Sequence, residues 1–130
     1  MMRPEQILQQ QVAQYLAVAL GPRTFYTAIL GNARNATHGG IMKSMGLIAG
    51  VPDLIVWWHT SGSYPRCVGI ELKSGSGRIS IAQRETHKRM ADAGVPVAIA
   101  RSMDDVRVIL LAAGCPLREH DFSGGDAPRP

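Results

Sequence analysis

The chain has 130 residues, 45% of them hydrophobic and 18% charged, with 14 Lys and Arg against 10 Asp and Glu for a formal charge of +4. That length suits one domain with its own core, and the composition excludes the low-hydrophobicity, high-charge signature of a disordered chain. Two cysteines, Cys67 and Cys115, are too few for the disulfide framework of a small secreted domain and form no cluster of zinc-ligand spacing.

The N-terminal MMRPEQILQQQ lacks the apolar core of a secretory signal, and no apolar run approaches the ~20 residues of a membrane span, so a cytoplasmic protein without membrane contact is expected. Pro4 to Leu20 reads as a helix opened by proline and closed by Gly21-Pro22, with Leu8, Val12, Tyr15, Leu16 and Ala19 forming one apolar stripe. Glu5 lies at the start of that stripe. Thr24 to Leu30 reads as a strand, and Gly31 to Gly50 as a long polar, Gly-rich loop of the kind that binds something.

Asp53 to Trp58 and Arg66 to Lys73 read as strands of an antiparallel hairpin joined by the turn-rich His59 to Pro65. Ser74 to Arg78 is a flexible turn. Ser80 caps a helix running to about Ala93, and Gln83 completes a capping box. Val95 to Ala100, all apolar, is expected in the middle of a sheet, and Met103 to Ala113 is a last helix. The expected domain is 1–115, followed by a flexible tail, 116–130. Together these elements predict an α/β fold, a mixed sheet flanked by helices, in which Arg66 to Ala100 makes a parallel crossover.

Charge is unevenly placed. Residues 1–101 hold eleven basic side chains against five acidic ones, whereas residues 102–130 hold three against five. A polyanionic partner such as nucleic acid and ordinary surface charge account for this about equally.

In an extended strand alternate residues share a face, so Val68, Ile70 and Leu72 form a core face while Cys67, Gly69, Glu71 and Lys73 share the other. Asp53 opens the preceding strand directly after Gly50-Val51-Pro52. Two carboxylates on neighbouring strands plus a lysine suit metal-assisted phosphodiester hydrolysis. Mg²⁺ takes oxygen ligands, typically one or two carboxylates completed by carbonyl, water and phosphate oxygens. Asp53 and Glu71 would be those carboxylates, the backbone carbonyl of Leu72 a further ligand, and Lys73 the group that orients water or stabilises the transition state. Glu-x-Lys alone is a weak pattern, and by itself it favours an exposed, solvated strand face.

With Glu5 on the first helix, Gly50-Val51-Pro52-Asp53-Leu54, Glu71-Leu72-Lys73-Ser74 and Gln83 on the next helix, the chain resembles the PD-(D/E)xK nuclease superfamily. More narrowly it resembles the VRR-NUC family, whose small stand-alone members come from phages and bacteria. The resemblance spans about residues 4–110. It implies a restriction-endonuclease-like αβββαβ core and an endodeoxyribonuclease dependent on Mg²⁺ or Mn²⁺. Asp53, Glu71 and Lys73 would hold the catalytic positions, Glu5 that of a helical acid reaching the metal directly or through water, and Gln83 that of the motif glutamine. It further implies a homodimer, in a bacterial or phage-infected cell, cleaving branched DNA such as Holliday junctions. The alternatives are a non-catalytic nucleic-acid-binding module with this fold, and a nuclease subunit of a restriction or packaging complex.

For DNA contact the candidates are Arg34 and Lys43 in the long loop, Ser74 and Arg78 in the turn after the Glu-x-Lys strand, and Arg84 and Lys88, which share a helix face with His87. Several of these side chains also suit purely structural roles. Glu5 suits the positive end of its helix, Gln83 the capping box, and Arg84, His87 and Lys88 a solvated face with a Glu85–Arg89 pair. Trp57 and Trp58 alternate faces, so one belongs to the core. The histidines show no ligand spacing, and Cys67 has no triad partner.

Overall fold

Residues 2–29 and 36–118 are described by a computed structural model of the chain. In chain order it contains α1 (Pro4–Ala19), β1 (Thr24–Ala28), α2 (Ala36–Ser44), β2 (Leu54–Trp58), β3 (Arg66–Leu72), α3 (Ile81–Asp92), β4 (Val97–Ala100) and α4 (Met103–Ala112). The four strands form one sheet in the order β1-β2-β3-β4. β1 with β2 and β2 with β3 are antiparallel, and β3 with β4 is parallel. The αβββαβ core expected from the sequence is therefore present, with α2 and α4 added.

Helix α1 begins where proline needs no N–H donor, and the Gln6 side chain accepts from the Arg3 backbone N–H at 2.9 Å. Its stripe of Leu8, Val12, Tyr15, Leu16 and Ala19 is buried as the spacing predicts. These residues, with Val106 and Leu110 of α4, pack against the sheet face made by Leu54, Val56 and Trp58 of β2 and Val68, Ile70 and Leu72 of β3. Burying each such large side chain stabilises the fold by roughly 1.5–3 kcal/mol. Tyr26 ties β1 to α1 by donating its hydroxyl to the Ala13 carbonyl at 3.1 Å. Trp58 is the core tryptophan, whereas Trp57 lies half-exposed against Phe25 with ring centroids 5.8 Å apart.

Helix α3 covers the opposite sheet face, where His87 meets Glu71. Its N-terminal box forms as expected: Gln83 N–H donates to the Ser80 hydroxyl at 3.1 Å, and Ser80 N–H donates to Gln83 Oε1 at 2.8 Å. The helix is clasped to the turn before β2 by the Thr86 hydroxyl, which donates to the Ala49 carbonyl at 2.5 Å.

Two expectations need correction. The long loop contains α2, concealed in the sequence because Gly39-Gly40 weakens a helix by about 1 kcal/mol per glycine. The helix ends in a Schellman arrangement in which Leu47 N–H donates to Met42 O at 3.0 Å, with Gly46 at φ +102°. β4 is an edge strand, not a central one, and only Ala100 is fully buried. Its apolar composition reflects its contacts with both α3 and α4. Beyond α4, Leu117 pairs with Leu20 and Arg118 N–H donates to Ala19 O at 2.7 Å. No helix among the described residues is long and apolar enough to cross a membrane.

Gly46 and Gly50 test how tightly this scaffold is closed. Both have positive φ, but a Cβ at Gly46 would meet nothing, whereas at Gly50 it would collide with Ala82 backbone and lie 2.8 Å from Gln83 Cα. Gly46→Ala should cost about 1–2 kcal/mol from backbone strain alone. Gly50→Ala should cost at least about 1 kcal/mol more, because backbone must move as well. Urea denaturation of the two variants measures the difference.

Candidate active site

Asp53 sits one residue ahead of β2, where the chain arrives from Pro52. Its carbonyl accepts from Ile29 N–H at 2.8 Å on the β1 side, and its Oδ2 accepts from Leu72 N–H at 2.7 Å on the β3 side. The residue is thus bound across the sheet in both directions. By continuation of the β2–β3 register, Pro52 lies opposite Leu72. Proline has no N–H to give, so the ladder supplies no donor to the Leu72 carbonyl. Pro52 is itself buried and packs over Gly69, where a Cβ would come 2.8 Å from Pro52 Cγ. Gly69, two residues before Glu71 on the same strand face, therefore makes room for Pro52.

Glu71 lies on the face away from the main core yet is only 3% exposed. Burial pushes its carboxyl up to about 8, and the nearby Asp53 carboxyl adds to the rise both as hydrogen-bond partner and as like charge. Lys73 opposes the rise, and Glu5 contributes a further small push upward. Glu5 is exposed at the first turn of α1. Its Oε1 lies 3.9 Å, and Lys73 Cδ 3.8 Å, from the position of a Cβ on Gly77, so both side chains reach the turn after β3. The structure thus brings Glu5, Asp53, Glu71 and Lys73 into one electrostatic neighbourhood.

Gln83 stands beside the Gly50 turn, with its Oε1 used by the cap and its amide nitrogen left to donate elsewhere. His87, which the helical spacing groups with Arg84 and Lys88 on a phosphate-facing surface, points inward instead. It is 11% exposed, with Nε2 3.4 Å from Glu71 Oε1. Burial first, and then the Lys73 charge, hold its ring below the usual histidine range. The signal for this in the sequence is its spacing of four from Gln83, which places both on one helix face.

The DNA-contact candidates differ in exposure and pairing. Lys43 is exposed on the last turn of α2, and Arg78 and Arg84 are exposed. Ser74 is half-buried, its carbonyl accepting from Gly77 N–H at 3.0 Å. Lys88 is exposed but paired with Asp92 at 3.4 Å. Arg34 lies outside the described residues. Arg101, not singled out from sequence, pins the turn by donating from Nη1 to the Gly75 carbonyl at 2.8 Å.

The residues fit a hard divalent cation. Glu71 Oε1 is buried with no hydrogen-bond partner, although Asp53 and Lys73 charges surround it. Asp53, Glu71 and the Leu72 carbonyl supply oxygen donors of the type Mg²⁺ or Mn²⁺ takes, with water completing the set. Among the described residues no three His, Cys, Asp or Glu side chains are gathered as a ready-made ligand cage.

A four-stranded mixed sheet with helices on both faces and this carboxylate pair belongs to the nuclease-fold class. The VRR-NUC domain family model matches residues 6–104, more than half of the chain, and the protein belongs to that family. A solved structure described as a VRR_NUC domain protein shares the fold with a TM-score of 0.60 at 22% identity, covering 84% of this chain and 86% of that one. No curated protein matches the chain.

The raised Glu71 carboxyl has a consequence for stability. Between pH 4.5, the ordinary value, and about 8, the unfolded chain loses this proton while the folded chain keeps it. Stability of the metal-free protein therefore falls as pH rises through that window and stops falling above it. His87, shifted downward, adds its own pH dependence only below 6.5. In EDTA, the melting temperature of Glu71→Gln should exceed that of the parent by a margin that grows from pH 6.5 to 8. Circular dichroism melts across this range measure it.

Proposed function

We propose that this protein is a divalent-metal-dependent endodeoxyribonuclease that hydrolyses DNA phosphodiester bonds, selective for branched DNA and acting as a homodimer. The observation that carries the reading is the burial of Glu71 beside Asp53. A buried carboxylate held against a second one is costly for folding, and a bound dication relieves the cost. Asp53, Glu71 and the Leu72 carbonyl would hold the ion, and Glu5 would approach it through water. The ion would lower the pKa of a water and offset charge developing on the phosphate.

The chain's own side chains do the rest. Hydrolysis adds water to phosphorus and breaks one P–O ester bond, leaving a phosphate monoester and a hydroxyl. Lys73, directly after β3 and two residues after Glu71, donates to a phosphate oxygen or orients the attacking water. Gln83 steadies the approach through its amide nitrogen. Arg34, Lys43, Arg78, Arg84 and Lys88 would neutralise flanking phosphates, with Ser74 presenting the turn. The surplus of basic residues in 1–101 supports a DNA partner, and residues 1–115 suit one nuclease domain. The homodimer and the preference for branched substrates rest on the family resemblance.

The purified protein should cleave at least one of four-way junction, flap, single-stranded and duplex DNA in Mg²⁺ or Mn²⁺, and none in EDTA. Asp53→Ala, Glu71→Ala and Lys73→Ala should each lower the cleavage rate by about 10²-fold or more. Cleavage unchanged in Glu71→Ala contradicts the assignment.

A further inference from the structure

Among the described residues, His87 is the inward-facing polar side chain of this neighbourhood to which the proposed chemistry gives no task. Its Nε2 lies 3.4 Å from Glu71 Oε1, and both atoms are buried with no hydrogen-bond partner. The ring is also hydrogen-bonded to the backbone of Gly50, three residues ahead of Asp53. His87 therefore touches the strand that carries one carboxylate and the turn that delivers the other. That turn is fixed to the same helix by the neighbouring Thr86 hydroxyl on Ala49 O and by the close approach of Gly50 to Ala82 and Gln83.

Packing alone does not explain an imidazole here. A buried polar atom left without a partner costs about 1–3 kcal/mol, and an apolar side chain of similar size would fill the same space without that cost. A glutamate has three side-chain torsions, so its carboxyl direction is set only if a second contact holds it. Nε2 of His87 is the atom placed to make that contact.

We propose that His87 is a positioning residue that fixes the direction of the Glu71 carboxyl relative to Asp53, and so sets the spacing of the two carboxylates that would take a divalent cation. The inference rests on the metal-site reading above. Polar groups that orient a ligating carboxylate typically contribute about 10- to 100-fold to metal affinity.

The test is calorimetric titration of DNA-free protein with Mn²⁺, beside thermal melting in EDTA, for the parent, His87→Leu and His87→Gln. His87→Leu keeps side-chain volume and removes both polar contacts. It should bind Mn²⁺ about 10- to 100-fold more weakly while melting in EDTA at or above the parent temperature. His87→Gln, which retains a polar nitrogen near the Nε2 position, should recover most of the affinity. Parent-like Mn²⁺ affinity in His87→Leu overturns the positioning role and leaves the nuclease reading standing. Equal loss in the Leu and Gln variants, tracking a lowered melting temperature, overturns it in favour of plain packing. A parent that binds no Mn²⁺ overturns both the role and the metal site on which it rests.

Discussion

Two carboxyl groups placed side by side, one of them out of water, are the constraint around which this fold is arranged. Glu71 is 3% exposed, and its neighbour Asp53 both hydrogen-bonds to it and repels its charged form. In the absence of a cation, the folded chain answers by keeping a proton on Glu71 well into the neutral range. Such an arrangement weakens the metal-free protein and concentrates negative potential where a dication would be held. Sites that lower stability in order to perform chemistry are common in enzymes.

Keeping those carboxyls together takes most of the polar side of the sheet. Asp53 is bound by its carbonyl to β1 and by its side chain to β3, so its position follows both neighbouring strands. Pro52 ends the ladder opposite Leu72 and packs into the notch that Gly69 leaves. Gly50 lets the turn lie against the backbone of α3, and Thr86 fastens it there. The Gly-Val-Pro-Asp segment is in this sense one mechanical part: glycine for close approach, proline for a missing donor, aspartate for charge. The main core on the other face, built by α1, α4 and the even-numbered residues of β2 and β3, provides the rigidity behind it.

Much of this is legible in the sequence, for identifiable reasons. The apolar stripe of α1 has a strict helical period, and all five residues assigned to it are buried. The β2–β3 hairpin is written in apolar runs separated by turn residues, and its register brings Asp53 opposite Glu71. What the sequence does not convey depends on tertiary placement. Two glycines hide α2, whose formation is not announced by any strong amphipathic pattern. The apolar run of β4 reflects contact with α3 and α4 but does not reveal that the strand lies at the edge. His87 shares helical spacing with Arg84 and Lys88 as well as with Gln83, and only the orientation of α3 selects the inward face. The basic side chains follow no such pattern, and Lys88 is engaged by Asp92.

Glu71 is a carboxylic acid that must lose its proton to accept a cation, and binding is therefore tied to proton release. Calorimetric titration of the protein with Mn²⁺ near pH 7, repeated in buffers of different ionisation enthalpy, counts the protons released per ion bound. Release of about one proton in the parent, and little in Glu71→Gln, is the predicted result. Binding at this site with no proton released, or no binding at all, would contradict it.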